Sequence, residues 1–213
     1  MIASEGKIII IPILFLFIIG VILNGIYSLV WLNWLNFLFC FILLFSAYFF
    51  RDPKRVIPNV DGFLSPSDGR IIQIVEIDDP DIGSAFQISI FLSIFNVHSQ
   101  WVPLSSMAIK KDYKPGKFIF AFNHKASMDN EHSIVTFEDQ EGNRFKIKQI
   151  AGFIARRILN YMEETRSYKR GVRLGFIRFG SRIDIIVPSA FNINIKVGDR
   201  VIGRKTIIGY FYS

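Results

Sequence analysis

From Ile8 through Phe50 the chain carries no Asp, Glu, Lys or Arg. No other feature restricts its folding as strongly. One membrane crossing takes about 20 consecutive apolar residues, so this run is too long for one ordinary helix and suits two. Asn24-Gly25, Asn33 and Asn36 place polar and flexible residues near its middle, where the chain can reverse. The expectation is a helical membrane hairpin with both ends on one side. Arg51, Lys54 and Arg55 follow directly, and basic flanks favour the cytoplasmic side of a cell membrane. One tilted crossing, or a re-entrant hairpin within one leaflet, are the competing arrangements; Trp31 and Trp34 would suit an interface in the shallow case. A cleaved signal peptide fits poorly, because the run far exceeds an h-region and has no clear small-residue cleavage site.

The 213 residues are enough for this segment and one further domain with a core. Residues 1–50 are assigned to anchoring and residues 51–213 to the second part. Glu5 and Lys7 cancel, so the residues from Arg51 onward carry the whole net charge of +7. These charges are scattered among acids rather than gathered in a stripe. Attraction to anionic lipid explains them more simply than nucleic acid does, and no nucleic-acid partner is expected. The one cysteine, Cys40, lies inside the apolar run, so neither an intrachain disulfide nor a thiolate metal cluster can form.

Beyond Arg51 the pattern is that of strands. Residues 71–77 and 86–92 are rich in β-branched and alternating apolar positions. Residues 133–138 and 144–150 flank Asp139 to Asn143, which reads as a hairpin turn. Two more strands, 173–179 and 183–187, lie on either side of Gly180-Ser181, and Pro188 stops the second. Near the C-terminus, residues 195–203 read as strand, Gly198-Asp199 turn and strand, a pattern shared with barrel-sandwich and lipoyl-carrier domains. One helix is expected over Gly152 to Arg166, where Ile154, Ile158 and Tyr161-Met162 recur at helical spacing. The fold class expected is therefore mainly β (α+β), a compact domain with a barrel-sandwich-like C-terminal hairpin, preceded by the hydrophobic helical hairpin.

Familiar catalytic motifs are missing: there is no P-loop, no GxGxxG after a strand, no HExxH and no GxSxG. His98, His124 and His132 are not spaced as a zinc set, and no metal is expected. Three short segments remain. Leu64 to Arg70 contains Ser67-Asp68-Gly69, ordinarily a turn, although a carboxylate at a strand entrance can also orient a histidine. Phe91 to His98 ends a very apolar stretch on an imidazole. Such a ring is commonly a satisfied core group, yet it is also the side chain best suited to acid–base work near neutrality. Phe176 to Asp184 carries Gly180-Ser181 between strands, ordinarily a bulge or tight bend. Glycine also permits a backbone geometry in which the following hydroxyl approaches the preceding carbonyl.

Taken together and in order, these stretches resemble the short bacterial phosphatidylserine decarboxylase proenzymes, a pyruvoyl-dependent class. The shared segments are Phe49-Phe50-Arg51-Asp52-Pro53-Lys54-Arg55, Ser65 to Arg70, Phe91 to His98 and Pro115-Gly116-Lys117-Phe118. Asp129-Asn130-Glu131, Gln149 to Arg157 and Arg178-Phe179-Gly180-Ser181-Arg182 complete the set. Each block alone is unspecific; the ordered series is not.

The resemblance implies a zymogen that cleaves itself between Gly180 and Ser181 into a large chain 1–180 and a small chain 181–213, which stay associated. Ser181 would become a pyruvoyl group, the covalent cofactor, with no pyridoxal phosphate. His98 would act as base toward Ser181, and Asp68 would hold its ring. The mature enzyme would convert phosphatidylserine in the membrane to phosphatidylethanolamine and CO2 through a Schiff base. Side chains offer no electron sink for decarboxylation, and the pyruvoyl carbonyl supplies one. His98 would also return a proton to the α-carbon.

Two departures stand out. Long members of the family carry a second histidine where Trp101 stands, and Thr where Arg182 stands; the short members also lack that second histidine. Arg182, Arg156 and Arg157 are the candidates for the lipid phosphate, each with surface charge as the plain alternative. Two other classes compete. A membrane-tethered lipoyl-like carrier is suggested by residues 196–209, but its turn, Gly198-Asp199, lacks the exposed lysine carriers need. A membrane serine peptidase using Ser181 is the other.

Overall fold

The computed structural model describes residues 1–116, 130–152, 158–178 and 181–211. Its internal contacts divide the chain into two units, Met1–Lys54 and Arg55–Ser213.

In the first unit a short 3-10 turn at Ser4–Gly6 leads into α1 (Lys7–Tyr27), and α2 spans Val30–Phe49. With 21 and 20 residues, each helix is long and apolar enough to cross a membrane. Large side chains such as Phe15, Trp34 and Phe37 are exposed around both helices, as suits segments whose surroundings are apolar. The reversal falls at Ser28-Leu29, between the two groups of asparagines. Ser28 adopts a left-handed φ of 51° and its N–H donates to the Asn24 carbonyl at 2.9 Å. Asn24 Nδ2 donates to Asn33 Oδ1 at 2.7 Å, so the polar residues face each other rather than the apolar surroundings. At the open end the Ala3 N–H donates to the Phe50 carbonyl and the Asp52 N–H to that of Met1, both at 2.7 Å. The two ends of the hairpin therefore meet, as a reversal near the middle of the apolar run implied.

The second unit is built almost entirely of antiparallel strands. They are β1 (Phe63–Leu64), β2 (Gly69–Asp79), β3 (Gly83–Leu92), β4 (Ser99–Trp101), β5 (Ser106–Lys114), β6 (His132–Glu138) and β7 (Arg144–Ala151). After them come β8 (Ile158–Asn160), β9 (Arg166–Tyr168), β10 (Arg173–Ile177), β11 (Ser181–Pro188), β12 (Asn192–Ile193), β13 (Arg200–Val201) and β14 (Ile207–Tyr210). The largest sheet has the order β13-β2-β3-β11-β7-β6-β5-β9, and two small sheets, β4-β10-β8 and β1-β14-β12, accompany it. Alternation along the central strands aims one set of side chains at a common core. Ile88, Ile90 and Leu92 of β3, Ile147 and Ala151 of β7, and Ile183, Ile185 and Val187 of β11 all belong to it. Phe63, Phe145, Phe191 and Phe211 extend that core with edge-on ring contacts, Phe63 lying 4.9 Å from Phe145 and Phe191 5.0 Å from Phe211.

The strands expected at 71–77, 86–92, 133–138, 144–150 and 183–187 form where the alternation indicated, as does the hairpin at Asp139 to Asn143. Of the helix expected over 152–166, residues 153–157 lie outside the described residues and the part from Ile158 onward is not helical: Ile158–Asn160 is a strand paired to β10 and Arg166 begins β9. From Ile158 onward the helical spacing was outweighed by pairing with an available sheet edge, a tertiary override of a local pattern. Likewise residues 195–197 form no strand. The turn after them packs on β2 instead, through Gly198 N–H to Ile71 O at 2.8 Å and Ile71 N–H to Asp199 O at 2.9 Å.

Candidate active site

β11 lies between β3 and β7, with its first residue, Ser181, opposite Leu92 and Ala151. Ser181 shares the face of Ile183 and Ile185, so its hydroxyl is directed into apolar surroundings. It is fully buried, and its Oγ has no hydrogen-bond partner among the described residues. An unpaired buried hydroxyl costs about 1–3 kcal/mol, and its lone pairs are uncommitted. A serine that must react at its oxygen fits this environment. Gly180 lies outside the described residues.

His98 immediately precedes β4 and is also fully buried. Two stretches of chain connect it to the strands around Ser181. From Leu92, the partner of Ser181, the chain turns through Ser93 to Asn96, where the Asn96 side chain accepts from the Ser93 N–H at 2.9 Å and from its hydroxyl at 2.8 Å. On the other side β10, which leads toward Ser181, pairs Phe176 with Ser99 and directs the Ile177 N–H to the His98 carbonyl. His98 Nδ1 lies 2.9 Å from the Asn96 carbonyl. A carbonyl can only accept, so in the neutral ring Nδ1 carries the proton and Nε2 is the basic nitrogen. The Phe176 ring, 6.3 Å away centre to centre, packs beside it.

Asp68 lies just before β2 and is mostly buried. Its carboxylate receives both terminal nitrogens of Arg55, the Nη2–Oδ2 distance being 2.8 Å, and the Gly203 N–H at 2.9 Å. Arg55 also donates to the Gly203 carbonyl at 2.8 Å, and its guanidinium stands 5.1 Å from the centre of the Trp101 ring. Among the described residues no hydrogen bond joins Asp68 to His98. Their link runs through the backbone: Trp101 N–H donates to the Pro66 carbonyl at 2.9 Å, tying the Asp68 segment to β4.

Arg182 extends to the sheet face opposite Ser181 and does not face water, being only 1 % exposed. Its Nε donates to Asp184 Oδ1 at 2.6 Å and its Nη2 to Ser89 Oγ at 2.7 Å. Lys148 of β7 and His132 of β6 share this face. Burial holds the Lys148 ammonium below its usual range, against the pull of Asp184. Burial also lowers His132, helped by Lys148 and Lys114 and opposed by the Asn130 carbonyl and Asp184. Arg156 and Arg157 lie outside the described residues.

Several residues at the site were not singled out by sequence reasoning. Arg55 was noted only as a membrane flank. Gln100 and Gln149, both buried, and the half-buried Asn160 form a polar chain that ends on the His98 carbonyl. A signal did exist: Phe145, Ile147 and Ala151 set an apolar alternation on the core face of β7, and Gln149 interrupts it.

The family model described as phosphatidylserine decarboxylase matches residues 42–209. A phosphatidylserine decarboxylase proenzyme of Burkholderia pseudomallei (strain 1106a) is 40% identical over 186 residues, covering 86% of this chain and 83% of the relative. One from Neisseria gonorrhoeae (strain NCCP11945) is 42% identical over 179 residues, 83% of this chain and 69% of its own. A third, from Aromatoleum aromaticum, is 40% identical over 172 residues, 80% of each.

Proposed function

The chain belongs to the phosphatidylserine decarboxylase family, and from that premise we propose that it is a self-processing phosphatidylserine decarboxylase whose pyruvoyl group arises from Ser181. The observation that carries this reading is the buried, unpartnered Ser181 hydroxyl at the head of β11.

Maturation begins when His98 Nε2 takes the hydroxyl proton and Oγ attacks the Gly180 carbonyl carbon. The peptide C–N bond breaks, an ester C–O bond forms, and the proton passes to the released amine. Removal of the Ser181 α-proton then expels the Gly180 carboxylate and leaves an enamine; a proton returns to its β-carbon to give an imine, and water replaces nitrogen there, releasing ammonia. The segment of Asp68, clamped by Arg55 and bonded to β4, steadies the backbone that carries His98. This is a positioning role, in place of the direct ring contact of a triad.

A pyruvoyl group at residue 181 supplies a carbonyl that condenses with the substrate's primary amine and accepts the electrons of the breaking C–COO bond. His98 returns a proton to the α-carbon. The small chain 181–213 stays bound to 1–180, because it contributes β11 to the middle of the large sheet and β14 to the middle of a small one. For the lipid phosphate Arg156 and Arg157 are the proposed contacts, since Arg182 is only 1 % exposed and its Nε and Nη2 donate to Asp184 and Ser89 within the sheet. The apolar helices anchor the enzyme in the bacterial inner membrane, with residues 51–213 as the catalytic domain on the cytoplasmic, basic-flanked side. The Gly198-Asp199 turn, held against β2 and without a lysine, is read as a barrel-sandwich-like element rather than a carrier tip.

Ser181→Ala tests the proposal. The variant is expected to stay as one chain on a denaturing gel and to release no CO2 from phosphatidylserine vesicles. CO2 release at the parent rate would refute the pyruvoyl assignment.

A further inference from the structure

Three side-chain amides, two of them buried and one half-buried, are not used by the chemistry above. Gln100 of β4 and Gln149 of β7 are fully buried, and Asn160 ends β8. They join end to end. Asn160 Nδ2 donates to Gln149 Oε1 at 2.7 Å, Gln149 Nε2 to Gln100 Oε1 at 2.7 Å, and Gln100 Nε2 to the His98 carbonyl at 2.9 Å.

Backbone groups fix the direction of this chain at both ends. The His98 carbonyl can only accept, so Gln100 must present its NH2 group there. The Met162 N–H can only donate, and it does so to Asn160 Oδ1 at 3.0 Å. Every amide orientation between them follows. Ser133 Oγ lies 3.2 Å from Asn160 Nδ2 as a further acceptor. Room for the chain is made by Gly175, where a Cβ would collide with the Leu159 carbonyl and with Gln149 Nε2.

Burying amides in an apolar core is costly unless they are paired, and apolar side chains would fill the same row without that risk. The placement gives the cost a purpose. Gln149 sits on the core face of β7 opposite Ile183, in the row next to the Ser181–Ala151 pair. The Ile177 N–H to His98 carbonyl contact is long, at 3.5 Å, and the β4–β10 register shifts close by. The shorter bond from Gln100 is the stronger restraint.

We propose that Asn160, Gln149 and Gln100 are positioning residues that hold the His98 backbone at a fixed offset from Ser181 and so set the approach of the imidazole to the hydroxyl. The proposal rests on the assignment of Ser181 and His98 above.

The test uses the full chain in lipid and follows self-cleavage of newly folded protein, with thermal stability measured alongside. Gln100→Met and Gln149→Met each break two of the three links, sharing the one between them, and the double variant breaks all three. Phe137→Leu, a core change away from the amides, serves as a stability-matched control. Each single variant is expected to slow cleavage by about tenfold to a hundredfold, the scale of a misplaced reacting group. The double variant should be no slower than the slower single, because either single change already interrupts the chain that ends on His98. Phe137→Leu should cleave within about twofold of the parent at equal loss of stability, since surroundings outside the chain do not set the geometry. Glutamine variants that cleave as fast as Phe137→Leu would overturn the proposal, as would additive slowing in the double. Normal cleavage by His98→Ala would instead remove the assignment beneath it.

Discussion

Ser181 and Arg182 are neighbours in one strand, both out of contact with water, and they are provided for in opposite ways. On one face of the sheet Arg182 Nε and Nη2 meet a carboxylate and a hydroxyl at hydrogen-bonding distance, and only its Nη1 lacks a partner among the described residues. On the other, Ser181 Oγ has no partner among the described residues. A buried charge must be paired or it destabilises the fold severely. A buried hydroxyl can be left unpaired at a cost of about 1–3 kcal/mol. The difference teaches where this strand is structural and where it is kept reactive. Satisfying the hydroxyl would stabilise the precursor and divert the lone pair that the proposed cleavage needs.

The largest effect that could break this contrast lies on the Ser181 side. His98→Ala should slow self-cleavage by about 10²–10⁴-fold, the range of a lost general base. Asp68→Asn should slow it less, since the Gly203 N–H still has an acceptor there. Gel-based cleavage time courses measure both, and normal rates in both variants would empty the proposed roles.

On the Arg182 side the expected effect is on stability. Arg182→Met removes a hydrogen-bonded cationic partner of the buried Asp184 carboxylate and should cost up to about 3–5 kcal/mol in denaturant unfolding. Replacing both, Arg182→Met with Asp184→Leu, should recover most of that loss. A double variant as unstable as the single would show that charge pairing is not what secures this face.

The smallest effect is on pH. Because burial lowers the folded pKa of His132, the unfolded chain binds its proton more readily. The stability contributed by its neutral form is complete above the ordinary histidine value of about 6.5 and is lost as pH falls through that value toward the lower folded pKa. His132→Gln should flatten the acid limb of a thermal-melting profile. An unchanged slope would place the titration elsewhere.

How much of this was legible beforehand varied with the range of the cause. The helical hairpin and the long central strands follow from local patterns: a charge-free run, and alternation in residues 86–92 and 183–187. The strand at Ile158–Asn160 was not legible, because its conformation depends on an edge of β10 provided by residues further along the chain. Ser181, His98 and Asp68 were found through ordered resemblance, but the partners of Asp68 were not. Arg55 and Gly203 reach it from opposite ends of the domain sequence, and spacing alone carries no trace of that. Arg182 was given two exterior roles, phosphate contact or surface charge. The alternation that separates its face from that of Ser181 was readable, whereas the burial of that second face was not.

Intact-mass measurement of the purified, denatured protein, after treatment with a carbonyl-trapping aminooxy reagent, bears most directly on the central claim. The account predicts two chains, the larger ending at Gly180 and the smaller beginning at residue 181 and carrying the trapped carbonyl. A single unbroken chain of 213 residues, in a preparation that releases CO2 from phosphatidylserine, would contradict it.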